Sequence, residues 1–294
     1  MEHRDLVESS PYALVDSVYQ NFLERHPNTP ERWLLSQTLY TAAARRGIFG
    51  FLPLTDGARV LDIGTGFGAL AFDLATYKSI EVYGVDVNRI TLSAAQEIYS
   101  QLRQLGAFKQ GSSITFSEDS AYQLSFEDST FDFVIARYVF QHLDEPVSAM
   151  NEIKRVLKPG AFICLVDIDD QMVITYPEDL AFRKLSEAFR ELQVRRGGDR
   201  FVGRKLSTYM NQVGLEVLGN IIQPEAQFAA YAQGDIASKL TIARFSEVRS
   251  DIVDLGIMKA DQFDACLNSY IEGIGELQYQ ANANFITVGR KSSS

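Results

Sequence analysis

Three glycines at alternate positions, Gly64, Gly66 and Gly68, stand between an apolar run that ends at Asp62-Ile63 and a helical stretch that opens at Ala69. Glycine lets the backbone take positive φ and pass close to a ligand. The free N–H groups of a helix start favour an anionic or strongly polar group. About 20 positions later, at the end of the next apolar run, Asp86 stands where a carboxylate can accept both hydroxyls of a ribose. Together these residues describe a nucleotide-binding turn. A mere strand-to-helix turn does not need three glycines, each of which costs about 0.5–1 kcal/mol of backbone entropy relative to alanine.

The loop alone fits two ligands. With Ala69 in the third place, residues 64–69 also satisfy the dinucleotide form, so an NAD-dependent oxidoreductase is the alternative reading. Asp62 discriminates. A carboxylate two residues before the first glycine would be repelled by a pyrophosphate. It would attract the ammonium and sulfonium of S-adenosylmethionine, by roughly 4 kcal/mol at 4 Å and an effective dielectric of 20, before desolvation.

The elements that must hold these residues follow from periodicity. Strands are expected at 60–63, 82–87, 114–116, 131–136 and 162–168, and helices at 69–77 and along the apolar positions Ile90, Ala94, Ile98, Leu102 and Leu105. Val147, Met150, Ile153 and Leu157 mark a further helix, with Lys158-Pro159-Gly160 as its stop. This alternation predicts an α/β fold, a Rossmann-like doubly wound sheet with helices on both faces. Four segments are expected: N-terminal helices over 1–54, broken at Pro27 and Pro30; the nucleotide-binding core over 55–170; a substrate or lid region over 171–280; and a last strand with a tail over 281–294. Within the third segment, a strand is expected near 215–222 and helices over 224–276. Phe228, Tyr231 and Phe245 read as core.

Several blocks resemble the class I S-adenosylmethionine-dependent methyltransferases, in particular the ubiquinone- and menaquinone-biosynthesis-like small-molecule group. They are Val60 through Gly68, Gly84-Val85-Asp86, Leu124-Ser125-Phe126-Glu127-Asp128-Ser129-Thr130-Phe131-Asp132, Gln141-His142-Leu143 and Glu152 through Gly160. Each is weak alone; five in one order are specific. The resemblance implies a mostly parallel seven-stranded sheet whose last strand, near 285–290, inserts antiparallel. It implies that Gly64, Thr65, Gly66 and Gly68 pass under the cofactor, with Asp62 near its methionine amino end. Asp86 would hold the ribose and Val87 would pack on adenine. The family's adenine-contacting aspartate falls at Ser120, with Asp119 one residue earlier, so Asp119, Ser120 and the Ala121 N–H share that expectation. Arg137 would lie near the methionine portion, through its carbonyl.

Methyl transfer asks the protein mainly for alignment, with a general base where the acceptor is a hydroxyl or ammonium. His142 and Tyr138 are the catalytic candidates. The matching family histidine is often structural, and Tyr138 could pack or line the pocket. Asp167, Asp169 and Asp170 follow the fifth strand and read as a polar strand end, with a site for a cationic acceptor as the other reading. A protein of the same fold that binds S-adenosylmethionine without transferring its methyl is a second alternative. Arg195, Arg196, Arg200 and Arg204 read as a solvated loop, and His3 and His26 as surface residues.

Composition narrows the partners. The net charge of −10 argues against nucleic acid. Cys164 and Cys266 have no metal or redox spacing and read as small buried hydrophobes of a reducing compartment. The polar start Met1-Glu2-His3-Arg4-Asp5 is unlike a signal peptide, and no apolar run reaches the roughly 18 residues of a spanning helix. The expectation is a cytoplasmic monomer or homodimer acting on a small-molecule methyl acceptor, with no metal and no membrane partner.

Overall fold

The computed structural model describes residues 10–27, 29–230 and 236–293. Among the described residues the first elements are helices α1 (Ala13–Arg25), α2 (Arg32–Tyr40) and α3 (Ala42–Gly47). The chain continues through β1 (Arg59–Ile63), α4 (Ala69–Tyr77), β2 (Glu81–Asp86), α5 (Arg89–Gln104), β3 (Ser113–Glu118) and β4 (Phe131–Arg137). Next come α6 (Pro146–Val156), β5 (Leu157–Ile168), β6 (Ile174–Tyr176), α7 (Leu180–Arg195) and α8 (Leu206–Gln212). The last elements are β7 (Glu216–Ala230), α9 (Ile236–Asp254), α10 (Ala260–Glu272) and β8 (Leu277–Arg290).

Among the described residues the sheet has eight strands, in the order β3-β2-β1-β4-β5-β8-β6, with β7 also paired to β8. Strands β1 to β5 are parallel, and β8 runs antiparallel to β5, β6 and β7. Alternate side chains leave the sheet on opposite faces. Val60, Phe133, Ile135, Cys164 and Val166 pack against α1, α4 and α5. Leu61, Ile63, Val134, Ala136, Ile163 and Leu165 pack against α6 and α8. Both faces are covered, as a parallel sheet requires.

The expected fold class is the one observed, with differences in detail. The short strand β6 is an addition to the seven expected. Helix α6 ends at Val156 just before Lys158-Pro159-Gly160, and these residues bulge out of the β4–β5 ladder between Leu157 and Phe162, with Gly160 at φ 79°. Residues 224–230, expected helical, extend β7 opposite the first half of β8. Phe228 is therefore 67% exposed on this ribbon instead of buried. Phe245 is fully buried in a separate core of α7, α9 and α10. Cys164 is buried and Cys266 only partly so. His26 is half-buried and stacked on Phe22, with ring centroids 4.1 Å apart. Tyr231 and His3 lie outside the described residues.

Candidate active site

The glycine loop lies at the C-terminal ends of β1, β2 and β4, where ligands approach an open α/β sheet. Gly64, Gly66 and Gly68 all have positive φ (68°, 53° and 80°). The reasons for glycine differ. A Cβ on Gly64 would collide with Val139 Cγ2, and one on Gly68 would come within 2.8 Å of Phe72 and Phe116. At Gly66 a Cβ would meet nothing within 4 Å. So Gly64 and Gly68 are demanded by the protein's own packing, whereas the space beside Gly66 is open.

Two carboxylates brace this loop. Thr65 Oγ1 donates to Asp62 Oδ2 at 2.7 Å. Asp62 is buried, and burial pushes its carboxyl up to about 7, helped by the Asp86 charge and opposed by Thr65 and Arg45. Asp86 accepts from Gly66 N at 2.8 Å through Oδ2 and from Asn88 N at 2.9 Å through Oδ1. Val87 beside it is 68% exposed, an open apolar surface at the strand end. Asp119 N donates to Asp86 O at 3.1 Å, which places Asp119 at the same rim. Its carboxylate turns into the following turn, accepting from Ser120 N (2.9 Å) and Ser125 N (2.7 Å). Ser120 and Ala121 follow, both half-buried.

The N-terminal helices lie over this loop. Tyr19 Oη of α1 donates to Phe67 O at 2.7 Å. Asn88 Nδ2 donates to Glu31 Oε1 at 2.7 Å, while Asn88 Oδ1 caps α5 through Ile90 N. Arg45 Nε of α3 donates to Asp73 Oδ2 of α4 at 2.7 Å, and Arg46 Nη2 reaches Asp73 Oδ1 at 2.9 Å. The sequence pattern gave no sign of these pairs, which join residues far apart in the chain.

The other end of the site follows β4. Tyr138 has φ 61°, and its ring lies under the Arg137 guanidinium, 3.9 Å from carbon to centroid. Its hydroxyl donates to Asn284 Oδ1 at 2.6 Å. Burial raises the Tyr138 phenol and lowers the Arg137 guanidinium. Asn284 Nδ2 in turn donates to Gln223 Oε1 at 3.3 Å, and Gln223 Nε2 to Ala44 O at 3.2 Å. Asn284 and Gln223 were not among the expected site residues. The one trace they leave is a polar side chain in each of two strands.

His142 sits apart from this pair, at the end of a short 3-10 turn. The residue is exposed, with protein crowding one side of its ring. That crowding and the Arg200 charge lower it, opposed by Gln193. The structure thus joins Tyr138 to Asn284 and turns His142 toward α7. Asp167 is buried and pushed up to about 7 by burial, while Ile168 N and Gln141 N donate to it. Asp169 pairs with Arg204 and Asp170 with Arg200 (2.8 Å). Arg200 and Arg204 are therefore ion-pair partners of the β5 end, which corrects the solvated-loop expectation. Among the described residues no cluster of His, Cys, Asp and Glu is arranged for a metal, and no helix is long and apolar enough to cross a membrane.

Comparison with known proteins places the core among methyltransferases. A family described as "Methyltransferase domain" matches residues 61–165. An uncharacterized methyltransferase of Schizosaccharomyces pombe is 31% identical over 162 residues, 55% of this chain and 55% of that protein. The O-methyltransferase rstn1 of Aspergillus nomiae is 29% identical over 191 residues, 64% of this chain and 77% of that protein. A SAM-dependent methyltransferase of Methanosarcina mazei, solved as a crystal structure, superposes with a TM-score of 0.52. It is 18% identical, and the superposition covers 82% of this chain and 95% of that one, a likeness of fold alone. This chain thus spans little more than half the length of the first relative and most of the second.

Proposed function

We propose that this chain, which belongs to the class I S-adenosylmethionine-dependent methyltransferases, transfers the cofactor's methyl group to a nucleophilic atom of a small molecule. The observation that carries the reading is the braced loop: open space beside Gly66, with Asp86 on one side and the buried Asp62 on the other. These residues fit the cofactor. Asp86 would take the ribose hydroxyls, the exposed face of Val87 the adenine, and Asp119, Ser120 and the Ala121 N–H the adenine edge. Asp62 and the Arg137 carbonyl would face the methionine amino group.

When bound, the sulfonium supplies a methyl carbon already activated for displacement. The chain's own part is to hold donor and acceptor in line, an effect of about 7–11 kcal/mol in well-oriented systems. The N-terminal helices are tied to the loop region through the Tyr19–Phe67 and Glu31–Asn88 hydrogen bonds. The O-methyltransferase relative supports oxygen as the receiving atom. His142, lowered by desolvation and the Arg200 charge, is the imidazole nearest in sequence to this end of the site and is the candidate base. The Tyr138 hydroxyl, raised and committed to Asn284, is suited to fixing position.

Calorimetry with S-adenosylhomocysteine and with NAD tests the cofactor. Binding of the first and not the second is expected, and the reverse would overturn the reading. Isotope-labelled S-adenosylmethionine with a panel of phenols, amines and carbon acids tests transfer. Binding without any labelled product would favour a cofactor-binding protein that does not methylate.

A further inference from the structure

Along β4, Phe133 and Ile135 face the core beneath α1 and α4, so Arg137 emerges on that same face at the top of the strand. Its Nη2 is buried and has no hydrogen-bond partner among the described residues. The guanidinium's one close partner is the Tyr138 ring. Glu225 and Asp167 act on it from a distance and Arg45 opposes them, yet none forms an ion pair with it. The contrast with neighbouring arginines is direct: Arg45 has Asp73 and Arg200 has Asp170.

A buried guanidinium without a counterion is unfavourable, and buried donors are almost always satisfied. This one is also built rather than incidental. The left-handed backbone of Tyr138, costly for a residue with a side chain, accompanies the ring's place under Arg137. The hydroxyl is then fixed through Asn284 and Gln223 to α3. Three separate parts of the chain thus hold a flat surface behind a cation whose fork matches a carboxylate.

We infer that Arg137 is an anion subsite for the methyl acceptor, binding a carboxylate that the acceptor carries beside its methylated atom. The inference rests on the methyltransferase reading above. It narrows the acceptor to acidic small molecules, such as aromatic hydroxy acids, and makes Arg137 the residue that selects them.

The test uses the full chain saturated with S-adenosylhomocysteine. Salicylate and 3-hydroxy-2-naphthoate are compared with their neutral amides, salicylamide and 3-hydroxy-2-naphthamide, by calorimetry. At least one acid is expected to bind tenfold or more tightly than its amide. In R137Q that preference should vanish, while the melting temperature holds or rises. R137K should keep part of the preference. Equal binding of acids and amides, or a preference that survives in R137Q, overturns the inference and leaves the cofactor reading intact. Loss of S-adenosylhomocysteine affinity in R137Q, with affinity for 5′-methylthioadenosine unchanged, also overturns it, since Arg137 would then hold the cofactor's own carboxylate. No binding of S-adenosylhomocysteine by the unmodified chain would instead refute the methyltransferase reading and the inference with it.

Discussion

Asp73→Asn isolates the ion pair that fastens α3 to α4. Asp73 is 0% exposed and Arg45 2%. The substitution keeps the shape and removes the charge. Arg46 would retain Asp16, at 2.6 Å. Arg45 would retain the Thr38 carbonyl, at 2.8 Å, and the neutral Asn amide oxygen, and would lose the carboxylate charge that compensates it. Breaking such a pair costs about 3–5 kcal/mol. For a chain of 294 residues the unfolding entropy is about 0.6 kcal/mol per kelvin, so the melting temperature should fall by roughly 5–8 °C. Thermal and urea unfolding measure this directly. The double variant Asp73→Leu, Arg45→Met replaces the pair by apolar groups of similar size and should recover most of the loss. A loss below about 1 kcal/mol for Asp73→Asn, or a double variant less stable than the single one, would refute the argument that charge burial sets the cost.

The Asp62 carboxyl, raised to about 7 when folded and near 3.9 when unfolded, contributes stability that is complete below about pH 4 and is lost as pH rises through 7. The difference in unfolding free energy between the unmodified chain and Asp62→Asn should therefore shrink from pH 5 to pH 8, and a flat difference would count against the burial of that charge. Asp86→Ala should weaken S-adenosylhomocysteine binding by about 1–3 kcal/mol, read by calorimetry, and unchanged affinity would remove Asp86 from the proposed ribose site. Gly64→Ala meets both a positive φ and the Val139 side chain, so a stability loss of about 2–5 kcal/mol is expected. Adding Val139→Ala should restore part of it, and no restoration would show that the steric term is absent.

Much of the core was legible because local and global preferences coincide there. The helix 69–77 and the first five strands follow from runs whose periods match their burial. Asp62 and Asp86 were legible because a glycine turn fixes where its flanking residues lie. The ribbon of β7 and β8 was not. Pro224 interrupts β7 and reads as a break, yet it pairs opposite Ala283 because β7 has β8 as its one neighbour and a free outer side. The platform under Arg137 was equally hidden. It depends on Asn284 and Gln223 meeting a residue after β4, and no local pattern encodes a meeting of three distant segments. Asp119 shows a subtler limit: its position at the rim was readable, but the direction of its carboxylate was decided by the turn at 120–125.

The place of β8 has a consequence for how the chain assembles. It lies between β7 on one edge and β5 and β6 on the other, yet it follows all of them in sequence. Until it arrives, β5 presents an unpaired apolar margin from Phe162 to Ile168, and β7 has no paired strand among the described residues. Such margins are templates for pairing with other chains, and contacts between segments so far apart form slowly. During synthesis the nascent protein therefore passes through a stage in which the β5 margin, β6 and β7 all lack the strand they pair with. Damage that keeps β8 from docking should drive aggregation in preference to a merely loosened native state.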